Sequence, residues 1–335
     1  MTVPSASPIF AAGQDRTAFV ALNVPPWAWG ALLILIAAML AFDLFRHRDD
    51  HEPSPKEALY ESMGWVACGL TFGAVIWVAF GSVAFGEYLS GYLIEKSLSI
   101  DNVFVWSMLF STMAIPLKFQ HRVLFWGIFG ALTLRAMFIF SGIALIARFW
   151  WLLVVFGIFL VVTGLKIIRH RADETATEAA RGLSLLHRVI PVSPDLKGHN
   201  FFSRINGKRV ATPLFAALVV VEVTDLIFAV DSVPAILAVS YEPFLIFSSN
   251  AFAILGLRAM YFLLANARAR FHYLSHALGA ILIFVGLKMT FTHWYHLDTA
   301  LSLGVIVTIL VFAIGLSRRR SKSTSATVDE TALQR

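Results

Sequence analysis

The sequence predicts an all-α fold: a polytopic bundle of about nine transmembrane helices that contains two inverted three-helix repeats. Three observations carry this reading. The 335-residue chain is 58% hydrophobic and only 14% charged, where a soluble domain has about 25% charged residues, and its mean hydropathy of +0.74 agrees. The apolar residues fall in runs close to the roughly 20 residues a helix needs to cross a bilayer. Basic residues gather in alternate connections between those runs, which is how membrane orientation is encoded.

Taken in order, the spans are expected at about 27–45, 62–81, 88–111, 121–147, 149–168, 211–238, 244–264, 273–291 and 299–316. Residues 1–26 precede them as an extracytoplasmic segment without the basic start and short apolar core of a secretory signal. Arg46 and Arg48 follow the first span, Lys118 and Arg122 the third, Arg268 and Arg270 the seventh, and Arg318, Arg319, Arg320 and Lys322 the ninth. The loop at about 169–210 after the fifth span carries Arg169, Arg171, Arg181, Arg188, Lys197, Arg204, Lys208 and Arg209. The opposite loops, such as Ser240-Tyr241-Glu242-Pro243, are short and nearly free of Lys and Arg. The N-terminus is therefore expected outside and the C-terminus in the cytoplasm. The 169–210 loop reads as a surface linker, and residues 317–335 as a disordered cytoplasmic tail.

Composition also excludes some functions. The net charge of +6 is dispersed in topology-setting loops, so no nucleic-acid partner is expected. One cysteine, Cys68, rules out an internal disulfide and reads as a small packing residue in an apolar run. No Gly-x-x-x-x-Gly-Lys-[Ser/Thr] motif is present to couple this chain to ATP.

Two short matches expose the repeat. Leu134-Arg135-Ala136-Met137 recurs as Leu257-Arg258-Ala259-Met260, and Gly164-Leu165-Lys166 recurs as Gly286-Leu287-Lys288, at offsets of 123 and 122 residues. The same register sets Asp101 close to Asp225. Residues of about 88–168 thus correspond to about 211–291, and because each copy has an odd number of spans, three, the second is inverted relative to the first. Many secondary transporters share this plan, with the site at the repeat interface near the midplane.

Both repeats open on a segment with acids where a membrane helix should have none. The first runs Glu95-Lys96-Ser97-Leu98-Ser99-Ile100-Asp101-Asn102, and the second Glu222-Val223-Thr224-Asp225 through Asp231-Ser232-Val233-Pro234. An ionised carboxylate there costs roughly 3 kcal/mol or more and marks a function by default. Glu222 and Asp225 share a helical face. Pro234 has no N–H, so the carbonyl of Val230 loses its helical partner beside Asp231. Carboxylate, amide and carbonyl oxygens suit a hard divalent ion, and no Cys/His cluster points to zinc or copper. The candidate metal set is Glu95, Asp101, Asn102, Glu222, Asp225 and Asp231. Arg135 and Arg258 are the charge-compensating or gating residues. With five acids against two arginines, one divalent ion and one proton would close the charge balance. Asp43, near a helix end, is expected to snorkel to the interface. Asn250 could serve as a ligand or as an interhelical hydrogen bond.

These two acidic segments, in this order, resemble the TerC family of integral membrane proteins within the LysE-like transporter superfamily, and the likeness covers spans two to nine. The family is named for tellurium resistance, and its members are associated with manganese efflux. The resemblance implies an inner-membrane exporter of a divalent cation, Mn²⁺ foremost, whose path these acids line; the charge balance suggests exchange for protons, and oxygen ligands leave Ca²⁺ as an alternative. The resemblance implies no enzymatic activity and no permanently bound cofactor; the metal is the substrate, and its partners are protons and the lipid bilayer. The alternative expectation is a membrane scaffold of a tellurium or envelope stress complex that recruits a cytoplasmic protein through loop 169–210. An intramembrane enzyme using paired aspartates finds no further motif in its support.

Overall fold

A computed structural model describes residues 20–46, 54–113, 115–149, 151–169, 200–205, 208–265, 274–291 and 299–333. The chain forms α1 (Pro26–Arg46), α2 (Pro55–Thr112), α3 (Leu117–Arg148), α4 (Leu152–Arg169), a short β1–β2 pair (Phe202–Ile205 and Lys208–Ala211), α5 (Pro213–Leu237), α6 (Pro243–Leu255), α7 (Leu257–Ala265), α8 (Leu274–Phe291) and α9 (Thr299–Leu333). Among the described residues seven helices are long and apolar enough to cross a membrane, and His276–Phe291 is a shorter apolar one. The protein is a polytopic helical membrane bundle.

Local chemistry sets the helix starts. Proline occupies the first turn of α1, α2, α5 and α6, where its missing N–H costs nothing. Ser54 and Glu57 close a reciprocal capping box at α2, the Glu57 amide donating to Ser54 Oγ at 3.3 Å and the Ser54 amide to Glu57 Oε2 at 2.7 Å.

At 58 residues, a straight α2 would be about 87 Å long, far more than a bilayer. It doubles back at Gly81, whose φ of +90° and ψ of 178° lie outside the range open to other residues. The cross-contacts are centred on that glycine. The Tyr88 hydroxyl donates to the Gly69 carbonyl at 2.9 Å, and the rings of Phe72 and Tyr88, and of Trp77 and Phe85, lie 5.7 and 6.0 Å apart. α2 is therefore an antiparallel hairpin of two arms joined by one residue, where the sequence suggested a loop of several.

α6 and α7 form the centre of the bundle. Every residue of α6 after Pro243 is buried, and its neighbours are the arms of α2, α3 and α1. The aromatic packing around Phe244 includes Trp29 at 5.1 Å and Phe80 at 6.2 Å. α1, α4 and α9 turn Ile34, Phe45, Val162, Val311 and Phe312 outward, an apolar surface suited to lipid.

The most extensive helix–helix contact joins α4 to α8. A Cβ on Gly164 would come to 2.6 Å from the Gly279 carbonyl oxygen, and one on Gly286 to 2.6 Å from that of Gly157. The glycines are spaced seven apart on each helix, two turns along one face, so the backbones touch directly. Gly157 meets Gly286 and Gly164 meets Gly279. At the 122-residue offset each of these contacts is the image of the other.

Local structure adds detail to three of these expectations. α9 extends to Leu333, and neither glycine nor proline follows Gly315 within it. The end of the 169–210 loop is an antiparallel pair with Phe202 opposite Ala211 and Ile205 opposite Lys208; the intervening Asn206-Gly207 is a strong hairpin signal. Residues 170–199 of that loop, and the segment 1–19, lie outside the described residues. Cys68 is exposed, not packed.

Replacing Gly164 with leucine is expected to force α4 from α8 and to cost roughly 2 kcal/mol or more, seen as a lower melting temperature of the detergent-purified protein. Gly30→Ala, where an added Cβ meets nothing within 4 Å, should leave stability unchanged or raised.

Candidate cation-binding site

The second arm of α2 carries Glu95, Ser99 and Asn102 toward α3, α5 and α6. Glu95 is fully buried, and Arg135 of α3 and Asp225 of α5 are each 1% exposed. Arg135 forms an ion pair through Nη1 with Glu95 Oε1 and donates through Nη2 to Asp225 Oδ1 at 3.3 Å. Ser99 donates to Glu95 Oε1 at 3.1 Å, one helical turn away. Asn250 of α6 donates to Glu95 Oε2 at 3.0 Å. Asn102 donates to Asp225 Oδ1 at 3.4 Å. Four helices thus meet on one guanidinium between two carboxylates.

Asn250 acts here as the interhelical hydrogen bond, one of the two roles left open by sequence. Asp225 Oδ2 and Arg135 Nε are buried with no hydrogen-bond partner among the described residues. Glu222, one turn before Asp225, is partly exposed and lies across Gly130 of α3, in the space a Cβ there would fill. Gly127, one turn earlier, likewise leaves room for Val221. The two glycines bring α5 against α3, and the carboxylate of Glu222 uses that closeness.

Asp101 lies in the second arm of α2 beside Asn102, and Asp231 in α5, three residues before Pro234. Their side chains are outside the described residues. Among those that are described, no group of three or more His, Cys, Asp or Glu could hold a metal ion.

Arg258 does not join this cluster. It is 3% exposed and pairs with Asp43 Oδ1 of α1, also donating to the Asp43 carbonyl at 3.3 Å, with Glu61 Oε1 of α2 at 3.7 Å. Asp43, expected to snorkel, is instead 4% exposed. α7 starts at Leu257, and its first turn aims Arg258 toward α1 and the first arm of α2. The Leu-Arg-Ala-Met match thus holds in sequence while its two arginines serve different carboxylates. Lys96 faces away from Glu95 and donates to the Ala253 carbonyl at 3.1 Å. Gly256 interrupts the helix there, so the ammonium caps the carbonyl end of α6.

A second acidic group escaped the sequence reading. Glu87, 1% exposed, accepts from the Val20 amide at 2.9 Å and from Ser240 Oγ at 2.6 Å. Glu242 accepts from the Leu22 amide at 3.1 Å, and its own amide donates to Ser240 Oγ at 3.1 Å. Lys288 is close enough to act on Glu87 electrostatically. Glu87 was hidden because it fell in an expected loop; the one-residue turn at Gly81 draws it into the bundle. At Glu242, outside the spans, burial raises the carboxyl above its ordinary value, and the amides of Leu22 and Phe244 offset this in part.

The chain matches the TerC integral membrane protein family over residues 80–325. It is 47% identical over 298 residues to "Uncharacterized membrane protein STKORF319" of Myxococcus xanthus, covering 89% of this chain and 93% of the relative. It is 44% identical over 296 residues to "Putative membrane-bound redox modulator Alx" of Escherichia coli K12, covering 85% and 92%. A Rickettsia bellii "Uncharacterized membrane protein" is 39% identical over 290 residues, covering 86% and 95%. No solved structure matches.

Arg258→Gln would take a guanidinium away from the buried Asp43 and is expected to cost about 3–5 kcal/mol. Asp43→Asn combined with Arg258→Gln should recover part of that loss in a thermal-unfolding assay. Glu242 has a raised carboxyl pKa, so its contribution to stability is present at acid pH and lost as pH rises through that raised value. Glu242→Gln should therefore raise the melting temperature relative to the parent in mildly alkaline buffer, with the gap closing on acidification.

Proposed function

The chain belongs to the TerC integral membrane protein family, and from its buried charge cluster we propose that it is a secondary transporter exporting a divalent cation, Mn²⁺ foremost, in exchange for protons. The observation that carries this is Arg135, buried among four helices between Glu95 and Asp225. A guanidinium in that position is a tethered stand-in for a mobile cation. An arriving divalent ion competes with it for carboxylate oxygen, and its return helps expel the ion. Asp101, Asp231 and Glu222 supply further acids along α2 and α5, and Asn102 an amide oxygen. With Arg258 paired to Asp43, Arg135 is left as the described arginine among these acids. That widens the negative excess a divalent ion and protons would offset.

The reciprocal contacts of Gly157 with Gly286 and Gly164 with Gly279 support a pair of inverted repeats. Such repeats can rock about a central site to give alternating access. The reading places the protein in an inner membrane, N-terminus outside and C-terminus in the cytoplasm, with no catalytic step. The redox label belongs to the relatives. This chain has one cysteine and so cannot form a dithiol of its own. A scaffold acting through loop 169–210 leaves the acids at the centre of the bundle without a task.

In inverted membrane vesicles, the wild type should accumulate Mn²⁺, and Asp231→Asn and Asp225→Asn should abolish accumulation at equal membrane levels. Undiminished uptake in both variants would sink the proposal. Loss of uptake on replacing loop 169–210 by a neutral linker would favour the scaffold.

A further inference from the structure

The two carboxylates that hold Arg135 are not equivalent. Glu95 is surrounded by donors from three elements: Ser99 on its own helix, Arg135 on α3 and Asn250 on α6. An ionised carboxylate has about four acceptor positions, and these donors take at least one on each oxygen. Ser99 and Arg135 fill Oε1 and Asn250 takes a place on Oε2, so Glu95 has at most one position left for a metal ion, on an oxygen already held by Asn250. Asp225 is built the other way. Its Oδ1 accepts two long bonds, 3.3 Å from Arg135 and 3.4 Å from Asn102. Its Oδ2 is buried and accepts none from any described residue. A buried carboxylate oxygen without a partner is costly, and a bound cation would relieve that cost. Glu222 stands one turn away on the same face of α5, resting on Gly130.

We propose that Glu95 is a positioning residue, the fixed counter-ion of Arg135, and that the transported divalent cation takes the open oxygen of Asp225. The inference rests on the transport reading and divides the site in two. Glu95, Ser99 and Asn250 form a cradle that retains the arginine. Asp225, with Glu222 beside it, forms the side that receives metal. When the ion arrives, the long Arg135–Asp225 contact breaks and the Arg135–Glu95 pair stays. Glu95 and Arg135 then count as one neutral unit throughout transport, and the attraction for the cation comes from α5.

Paired neutralisation tests this in proteoliposomes loaded with a Mn²⁺-sensitive dye. Glu95→Gln alone leaves Arg135 unpaired in the site and should lower Mn²⁺ uptake by about a hundredfold. Glu95→Gln with Arg135→Gln removes the neutral unit together, and uptake should return to within about tenfold of wild type. Asp225→Asn should be inactive, and adding Arg135→Gln should not rescue it. A protein in which Glu95 is merely structural would show no rescue specific to the arginine. Mn²⁺-dependent protection against thermal unfolding of the purified variants checks folding and binding apart from transport. The Glu95→Gln/Arg135→Gln protein should keep that protection, and Asp225→Asn should lose it. If the double variant is folded but neither transports nor is protected, while the wild type does both, Glu95 is a ligand and the inference fails. If the wild type itself neither moves nor binds Mn²⁺ or Ca²⁺, the transport reading falls, and this inference with it.

Discussion

The neutralisation of charge inside an apolar bundle is the constraint on which the rest depends. An arginine and two acids withdrawn from water carry a desolvation cost that only close pairing offsets. The pairing here needs α2, α3, α5 and α6 at one point, since Glu95, Arg135, Asp225 and Asn250 each come from a different helix. The same need recurs where Arg258, Asp43 and Glu61 tie α7 to α1 and the first arm of α2. Two separate charge clusters thus fasten the helices of the bundle. Hydrophobic burial cannot do this between helices in lipid, because lipid tails are as apolar as the side chains.

Glycine supplies the complementary half of the architecture. Gly81 lets α2 reverse within one residue, which lays its second arm, with Glu87 and Glu95, beside α6. Gly127 and Gly130 admit α5 to α3, and the four glycines between α4 and α8 allow backbone to meet backbone. Charge sets which helices must meet; the absence of side chains sets how near they come. Around this centre the outer helices need only be apolar, and their exposed leucines, isoleucines and phenylalanines show little other constraint.

Much of this was legible in the sequence. The helical class follows from composition and run length, which are set by the bilayer and not by packing. The acids of α2 and α5 stood out because charge in an apolar run is rare. The repeat register sets Asp101 and Asp225 at equivalent positions, and in the structure the residue after Asp101, Asn102, donates to Asp225. Less was legible where two readings shared one pattern. Leu-Arg-Ala-Met occurs twice, yet one arginine enters the acid cluster and the other turns to Asp43. Asn206-Gly207 carried a hairpin signal that a loop reading passed over, and Asn250 was left evenly divided between two roles.

Sequence alone determined the membrane-spanning helical class, the two acidic segments and the family, because each follows from residue types and spacing along one strand of chain. Tertiary structure decided the partners: that Arg258 belongs to Asp43, that Asn250 holds Glu95, that Glu87 is drawn in to hold the Val20 amide, and that Asp225 Oδ2 accepts nothing from the described residues. Those outcomes depend on which helix faces which and on how closely glycine lets them approach. An ion pair acts over a few ångströms between residues as much as 215 positions apart, and no local pattern records that distance.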